Sequence, residues 1–154
     1  MTIRQATEAD IDDILRLLRQ IYRLHAALRP DLFAGQRRLT KYNAEELTAL
    51  IADSERRPLL VACAADGELL AYAMCAIERN ADGLATLYLD DLCVDERHRG
   101  AHIGRELFGH VTELARQRGC YNLTLHVWHG NAAAAAFYEA MGLTEQYRCL
   151  ELRL

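Results

Sequence analysis

The sequence predicts one α/β domain of the α+β kind, a mixed, mostly antiparallel sheet flanked by about four helices in the order βααβββαβαβ. Three observations predict it. Residues 1–154 are 51% hydrophobic and 26% charged, an ordinary globular balance in a chain long enough to bury one core. Two turn dipeptides, Asp66-Gly67 and Asp82-Gly83, separate three apolar runs, so the middle of the chain reads as consecutive hairpins. In the second half, runs with helical spacing alternate with short apolar strands.

The elements follow in order. Ile3 and Arg4 begin a short strand, and Thr7 with Asp10 forms a capping box. Ile11, Ile14, Leu15, Leu18, Ile21, Tyr22 and His25 then share one helical face, which Arg29-Pro30 ends. A polar connection runs to Tyr42. Asn43 and Glu46 cap a second helix carrying Leu47, Leu50 and Ile51, stopped by Pro58. Strands are expected over 59–64, 68–77 and 84–94. The third helix spans about 104–118, with Leu107, Phe108, Val111, Leu114 and Ala115 on one face and Gly119 as its stop. A strand over 122–127, a helix over 131–141 ended by Gly142, and a closing strand over 144–154 complete the chain.

Charge and cysteine usage narrow the function. The formal net charge is −4, and Lys41 is the single lysine. The one dense basic group lies between Arg97 and Arg105, so a nucleic-acid partner is not expected. Five cysteines, Cys63, Cys75, Cys93, Cys120 and Cys149, are odd in number and form no CxxC pair. They read as reduced thiols of a cytoplasmic protein. The histidines His98, His102, His126 and His129 lack a zinc-site pattern, so no metal is expected. Neither a leader sequence nor an apolar run of membrane-spanning length is visible, which gives the expectation of a soluble protein with no membrane partner.

The segment Leu92-Cys93-Val94-Asp95-Glu96-Arg97-His98-Arg99-Gly100-Ala101-His102-Ile103-Gly104 is the most informative stretch. An apolar strand ends at Val94, a charged loop follows, and a helix opens near Gly104. Free backbone N–H groups at a helix N-terminus favour a phosphate. The loop is therefore a candidate pyrophosphate cradle, although such units serve many ligands and also occur as plain tight turns.

At this point the sequence resembles the GNAT superfamily of acetyl-CoA-dependent N-acetyltransferases. The match rests on two motifs and on the element order over nearly the whole chain. One is the [Q/R]-x-x-G-x-[G/A] loop, here Arg99-Gly100-Ala101-His102-Ile103-Gly104, preceded by Leu92-x-Val94. The other is Asn131 followed by Phe137-Tyr138-Glu139-Ala140-Met141-Gly142-Leu143. His102 departs from the pattern by standing where the superfamily usually has glycine, a substitution accommodated where the backbone is already helical. The resemblance implies a strand splayed from its neighbour, so that Leu92, Cys93 and Val94 offer backbone groups to the pantetheine arm of acetyl-CoA. It also implies that Arg99 to Arg105 hold the diphosphate, that Asn131 touches the cofactor arm while capping its helix, and that the protein is a homodimer.

Acetyl transfer to an amine needs an uncharged amine, a stabilised oxyanion and a proton for the departing thiolate. A phenol near pKa ~10 can share its proton with a thiolate near ~8.5, and the place of Tyr138 in the Phe137-Tyr138-x-x-x-Gly142 stretch makes it, as the resemblance implies, the candidate for that last role beside the cofactor. Asp90 and Asp91 lie in an apolar strand, where a charge is costly without a partner. Alternation puts them on opposite faces, so they are not expected to share one job. The segment Tyr88 to Val94 is similar to the diamine (spermidine/spermine) acetyltransferases, in which a glutamate matching Asp90 helps to deprotonate the amine. A carboxylate near ~3.9 is a poor direct base for an ammonium near ~10.4, so Asp90 is expected to act through water or by holding the cation, with Asp91 a second substrate-binding candidate. His126 or His129 could assist proton movement. The expected acceptor is a small cationic amine or a peptide amine, its site walled by the first two helices and the connection over 23–42. Two competitors stand beside this reading: a non-catalytic acyl-CoA-binding or regulatory domain of the same fold, and a nucleotide-binding α/β module. The latter is disfavoured because the loop lacks Walker or dinucleotide spacing.

Overall fold

The computed structural model describes residues 1–33 and 39–154, so residues 34–38 of the connection expected to wall the acceptor site lie outside the described residues. The capping box forms as its sequence dictates: Asp10 accepts from the Thr7 backbone N–H at 2.7 Å and from its hydroxyl at 3.0 Å. Asp10 is also held by Arg4 through two bonds of 2.8 Å, which ties the first strand, β1 (Thr2–Gln5), to the start of α1 (Ile11–Leu28). A single helical turn, α2 (Pro30–Phe33), follows in the segment expected to be a plain connection. Next comes α3 (Ala44–Ala52), capped by the reciprocal Asn43–Glu46 pair.

The hairpins form at both Asp-Gly turns and yield β2 (Leu59–Cys63), β3 (Leu69–Arg79) and β4 (Ala85–Val94). After them come α4 (Ile103–Gln117), β5 (Asn122–Thr124) and α5 (Ala132–Ala140). The sheet order is β1-β2-β3-β4-β5, antiparallel except for the parallel β4–β5 pair. Helices cover both faces. Ile14, Leu17 and Leu18 of α1 and Leu47 and Leu50 of α3 pack on Val61, Tyr72, Met74 and Cys93. On the other face Leu107, Phe108 and Val111 of α4 pack on Ala62, Ala73, Cys75, Leu87 and Leu89.

Leu89 and Cys93 are an even number of residues apart, yet they face opposite cores. The reason is a β-bulge. Met74 pairs with Asp91 and Cys75 with Leu89, so Asp90 has no partner across the ladder. One extra residue reverses the in-and-out alternation of everything beyond it.

Two expected strands are corrected. The strand over 122–127 stops at Thr124, because β4 pairs with β5 only from Thr86 to Tyr88 and the two then diverge. The closing strand over 144–154 does not form among the described residues. An alternating segment becomes a strand only where a neighbour offers backbone groups, and the sheet ends at the three-residue β5. Leu150 and Leu152 are left 91% and 83% exposed. Ion pairs from Arg29 to Glu151 at 3.0 Å and from Arg153 to Asp31 at 3.1 Å tie the segment to the end of α1 and to α2 instead.

Asp95, directly after β4, anchors the turn that leads to α4. It is fully buried and accepts from the Arg97 backbone N–H at 3.0 Å, from the Arg97 guanidinium at 2.8 Å and from Arg16 of α1. The hydrogen bonds from Arg97 hold its carboxyl far below the usual carboxylate range, against the opposing effect of burial. A carboxylate with a depressed pKa contributes stability above the unfolded value of ~3.9 and loses it as pH falls below that value. Asp95→Asn is expected to lower the unfolding free energy at pH 7 by about 2 kcal/mol, a difference that shrinks as urea titrations move from pH 4 to pH 2.

Candidate active site

The end of β4 at Val94 leads through a short turn directly into the start of α4 at Ile103. Gly100 has φ +83°, a left-handed conformation natural to glycine, and a side chain there would meet nothing within 4 Å. His102 caps α4 at φ 61°, ψ 5°. Its backbone is left-handed rather than helical, which corrects the condition on which a side chain was expected to be accommodated there. The imidazole escapes crowding because the residue is exposed. Arg99, Ala101 and Arg105 are exposed as well. The N–H groups of Ile103, Gly104 and Arg105 open α4, where helix geometry provides no carbonyl to receive them. At Gly104 a Cβ would lie 3.3 Å from Val94 and 3.6 Å from Phe137. Glycine is thus what lets β4, α4 and α5 meet at one point.

Beyond Tyr88 no strand among the described residues pairs with the outer edge of β4, so the backbone of Leu92, Cys93 and Val94 borders the wedge that begins where β4 and β5 stop pairing. Their side chains do core work: Cys93 is buried toward α1, and Leu92 and Val94 pack toward α4. Arg99 Nε donates to the Val94 carbonyl at 3.3 Å. Asn131 caps α5 by accepting from the Ala134 N–H at 3.2 Å. The wedge and the loop of free N–H groups fit a ligand with a diphosphate and an amide-bearing arm.

Tyr138 of α5 stands against Phe108 and Phe137, with ring centroids 5.9 and 5.1 Å away. Burial pushes its phenol well above the usual tyrosine range, with the Asp91 carboxylate adding to the shift. The hydroxyl therefore keeps its proton at neutral pH.

The two aspartates converge, contrary to the expectation from simple alternation. Lys41 Nζ donates to Asp90 Oδ1 at 2.5 Å and lies 4.0 Å from Asp91 Oδ2. The bulge at Asp90 brings both carboxylates to one cation. Asp90 also accepts from the Tyr42 hydroxyl at 3.2 Å, which in turn accepts from Arg57 at 3.2 Å. Asp91 Oδ2 is buried without a hydrogen bond among the described residues. Burial lifts the Asp91 pKa to about 7; Lys41 opposes the shift and Asp90 adds to it. Burial disfavours charge on Lys41 too, but the Asp91 and Asp90 carboxylates more than offset it and hold its ammonium above the usual range.

Asp90 opens onto a cleft of about 370 Å³ lined by Lys41, Tyr42, Arg57, Ile77 and Tyr88. Tyr88 leads away from it: its hydroxyl meets His126 Nδ1 at 3.2 Å, and His126 Nε2 meets the Tyr147 hydroxyl at 2.7 Å. Of the histidines considered for proton movement, His126 is linked to the cleft and the exposed His129 has no such link among the described contacts. Lys41, Tyr42, Arg57 and Tyr88 were not singled out as cleft residues from sequence. Tyr88, two residues before Asp90, carries a weak signal in its spacing; Lys41 and Tyr42 fall in the connection over 23–42 expected to wall the site, although nothing in it marks either residue individually.

The chain is similar over its whole length to acetyltransferases. An aminoglycoside N(6')-acetyltransferase type 1 of Stenotrophomonas maltophilia is 29% identical over 157 residues, covering 99% of this chain and 92% of that enzyme. A streptothricin acetyltransferase of Streptomyces lavendulae is 40% identical over 82 residues, 53% of this chain, and the match spans 42% of that enzyme's length. The crystal structure of a mutant BH1408 protein from Bacillus halodurans superimposes with a TM-score of 0.92 at 29% identity, covering 100% of this chain and 99% of the other. The profile of the acetyltransferase (GNAT) family matches residues 15–143. With the diphosphate-fitting loop, the open wedge and this match in place, the chain belongs to the GNAT family of acetyltransferases, acyltransferases whose general acetyl donor is acetyl-CoA.

Proposed function

We propose that this acetyltransferase moves the acetyl group of acetyl-CoA directly to a primary amine of a small cationic molecule. The observation that carries the reading is the convergence of Asp90 and Asp91 on one ammonium at the mouth of a cleft. Two carboxylates facing one cation favour a cationic acceptor. Similarity to enzymes named for an aminoglycoside and for streptothricin supports the same class.

Acetyl-CoA supplies an activated acyl group, and this chain's residues do the rest. The backbone N–H groups from Gly100 to Arg105 hold the diphosphate, with Arg99 and Arg105 adding charge. The edge of β4 at Leu92, Cys93 and Val94 and the side chain of Asn131 orient the arm. Asp90, at the cleft wall, holds the substrate cation. Asp91 accepts the amine proton: with a pKa near 7 it is a far better base than a solvated carboxylate. The Tyr138 hydroxyl, protonated at neutral pH, donates a hydrogen bond to the departing thiolate.

The buried free thiols Cys63, Cys75 and Cys93 support a reducing compartment, the cytoplasm. The exposed leucines of the C-terminal segment support association into a homodimer, since lone monomers seldom leave such an alternating strip bare. Sedimentation of the purified chain at micromolar concentration is expected to give twice the monomer mass.

Thiol release from acetyl-CoA, measured against a panel of diamines, aminoglycosides and lysine peptides, tests the reading. Turnover is expected with the small cations, and its absence across the panel, with acetyl-CoA still bound, would favour the non-catalytic binding domain. Tyr138→Phe is expected to reduce kcat by about 10²-fold while calorimetry shows unchanged acetyl-CoA affinity. Asp91 must be ionised to act, so kcat/KM is expected to rise with pH through about 7 and then level off. Asp91→Asn removes that rise and most of the activity. It also raises thermal stability at pH 8: a carboxyl whose pKa is raised by folding disfavours the fold once pH passes its unfolded value, and the cost is complete above about 7.

A further inference from the structure

Lys41 is the only lysine in the chain, and it sits where the proposed acceptor's ammonium would. Its Nζ is 2.5 Å from Asp90 Oδ1 and 4.0 Å from Asp91 Oδ2, and it stands 5.6 Å from the centre of the Tyr42 ring. Its side chain is 46% exposed, so the ion pair adds little to fold stability. Asp91, in contrast, has a buried oxygen with no hydrogen bond among the described residues, and Lys41 is the cation nearest to it among the described ion pairs. A carboxylate pair built to receive an ammonium thus receives one from its own chain.

We propose that Lys41 is a self-acetylation site, a tethered acceptor that the enzyme acetylates from its own acetyl-CoA and thereby removes from the amine subsite. The proposal rests on the reading that Asp90 and Asp91 form that subsite. Tethering raises the local concentration of Nζ there to about the millimolar range, and proximity of a nucleophile to its base is itself a large rate factor. In the step, the ammonium gives one proton to Asp91, which passes it to water. The neutral Nζ adds to the thioester carbonyl, a C–N bond forms as the C–S bond breaks, and the second amine proton ends on the departing thiolate. The products are Nε-acetyl-lysine, free coenzyme A and one proton. The resulting amide carries no charge and can no longer pair with Asp90, so a soluble amine meets an open site.

The test uses the full chain incubated with isotopically labelled acetyl-CoA and no added amine, followed by intact-mass measurement and peptide mapping. One acetyl group on the peptide containing Lys41 is expected, at a first-order rate that does not change over a tenfold range of protein concentration. Heat-denatured chain and Lys41→Arg are expected to remain unlabelled. A second readout needs no acetyl-CoA: calorimetry with 1,4-diaminobutane should show Lys41→Met binding it about tenfold more tightly than the wild type, since the tethered competitor is gone. Circular dichroism checks that this variant folds. Turnover of soluble amines with Lys41 unlabelled overturns the self-acetylation and leaves the proposed function standing. Labelling proportional to protein concentration also overturns it, because the donor is then a second molecule. Failure of both labelling and amine turnover overturns the two readings together, whereas labelling without soluble-amine turnover supports the tethered acceptor.

Discussion

The extra residue in β4 is the constraint on which the functional geometry depends. With Asp90 left without a ladder partner, the strand reverses its facing midway. Leu87 and Leu89 fill the core under α4, whereas Cys93 fills the core under α1. A regular strand would have to bury a carboxylate on one face and expose another on the opposite face. The bulge instead presents neighbouring carboxylates to one cation at the sheet's opening. A bulge costs a ladder position and increases local twist, and here the unpaired Asp90 follows shortly after Tyr88, the last residue of β4 paired with β5. The same irregularity therefore accompanies the wedge and the acidic pair.

Electrostatics divide the two aspartates by burial rather than by chemistry. Asp90 is hydrogen-bonded by Tyr42 and paired with Lys41 at the cleft wall. Asp91, one residue on, loses solvent and gains no hydrogen bond at Oδ2, so its proton affinity rises into the neutral range. Burial without a hydrogen-bond partner is thus what lifts Asp91, the kind of environment by which enzymes bring a carboxyl into the neutral range. Asp95, four residues further, shows the opposite outcome: its burial is answered by Arg16 and by the Arg97 side chain and backbone, so its charge is retained. That retained charge braces the turn which presents the free N–H groups of α4.

The local rules were legible in the residues. Capping boxes at Thr7–Asp10 and Asn43–Glu46, the Asp-Gly turns and the spacing of Leu107, Phe108 and Val111 all act over a few residues; the hairpin strands and α4 form within two residues of the expected bounds, whereas α3 ends at Ala52, well before the expected stop at Pro58. The loop from Arg99 to Gly104 and the helix bearing Phe137 and Tyr138 were legible for the same reason. The closing strand expected over 144–154 does not form because alternation is a property of the segment, while strand formation needs a partner edge that the segment cannot supply. Asp90 and Asp91, expected on opposite faces, converge because that expectation assumes a regular strand.

What the sequence determined by itself was the central hairpins, the long helices, the family and the candidate chemistry, since these rest on short-range spacing and on residue types. Only the tertiary structure decided which carboxylate is buried, which cation meets it and where β4 leaves β5. Those outcomes depend on register across strands and on desolvation by elements distant in the chain. Lys41 and Asp90 are 49 residues apart, and no pattern along the chain encodes their meeting; packing Lys41 and Tyr42 over the bulged strand does.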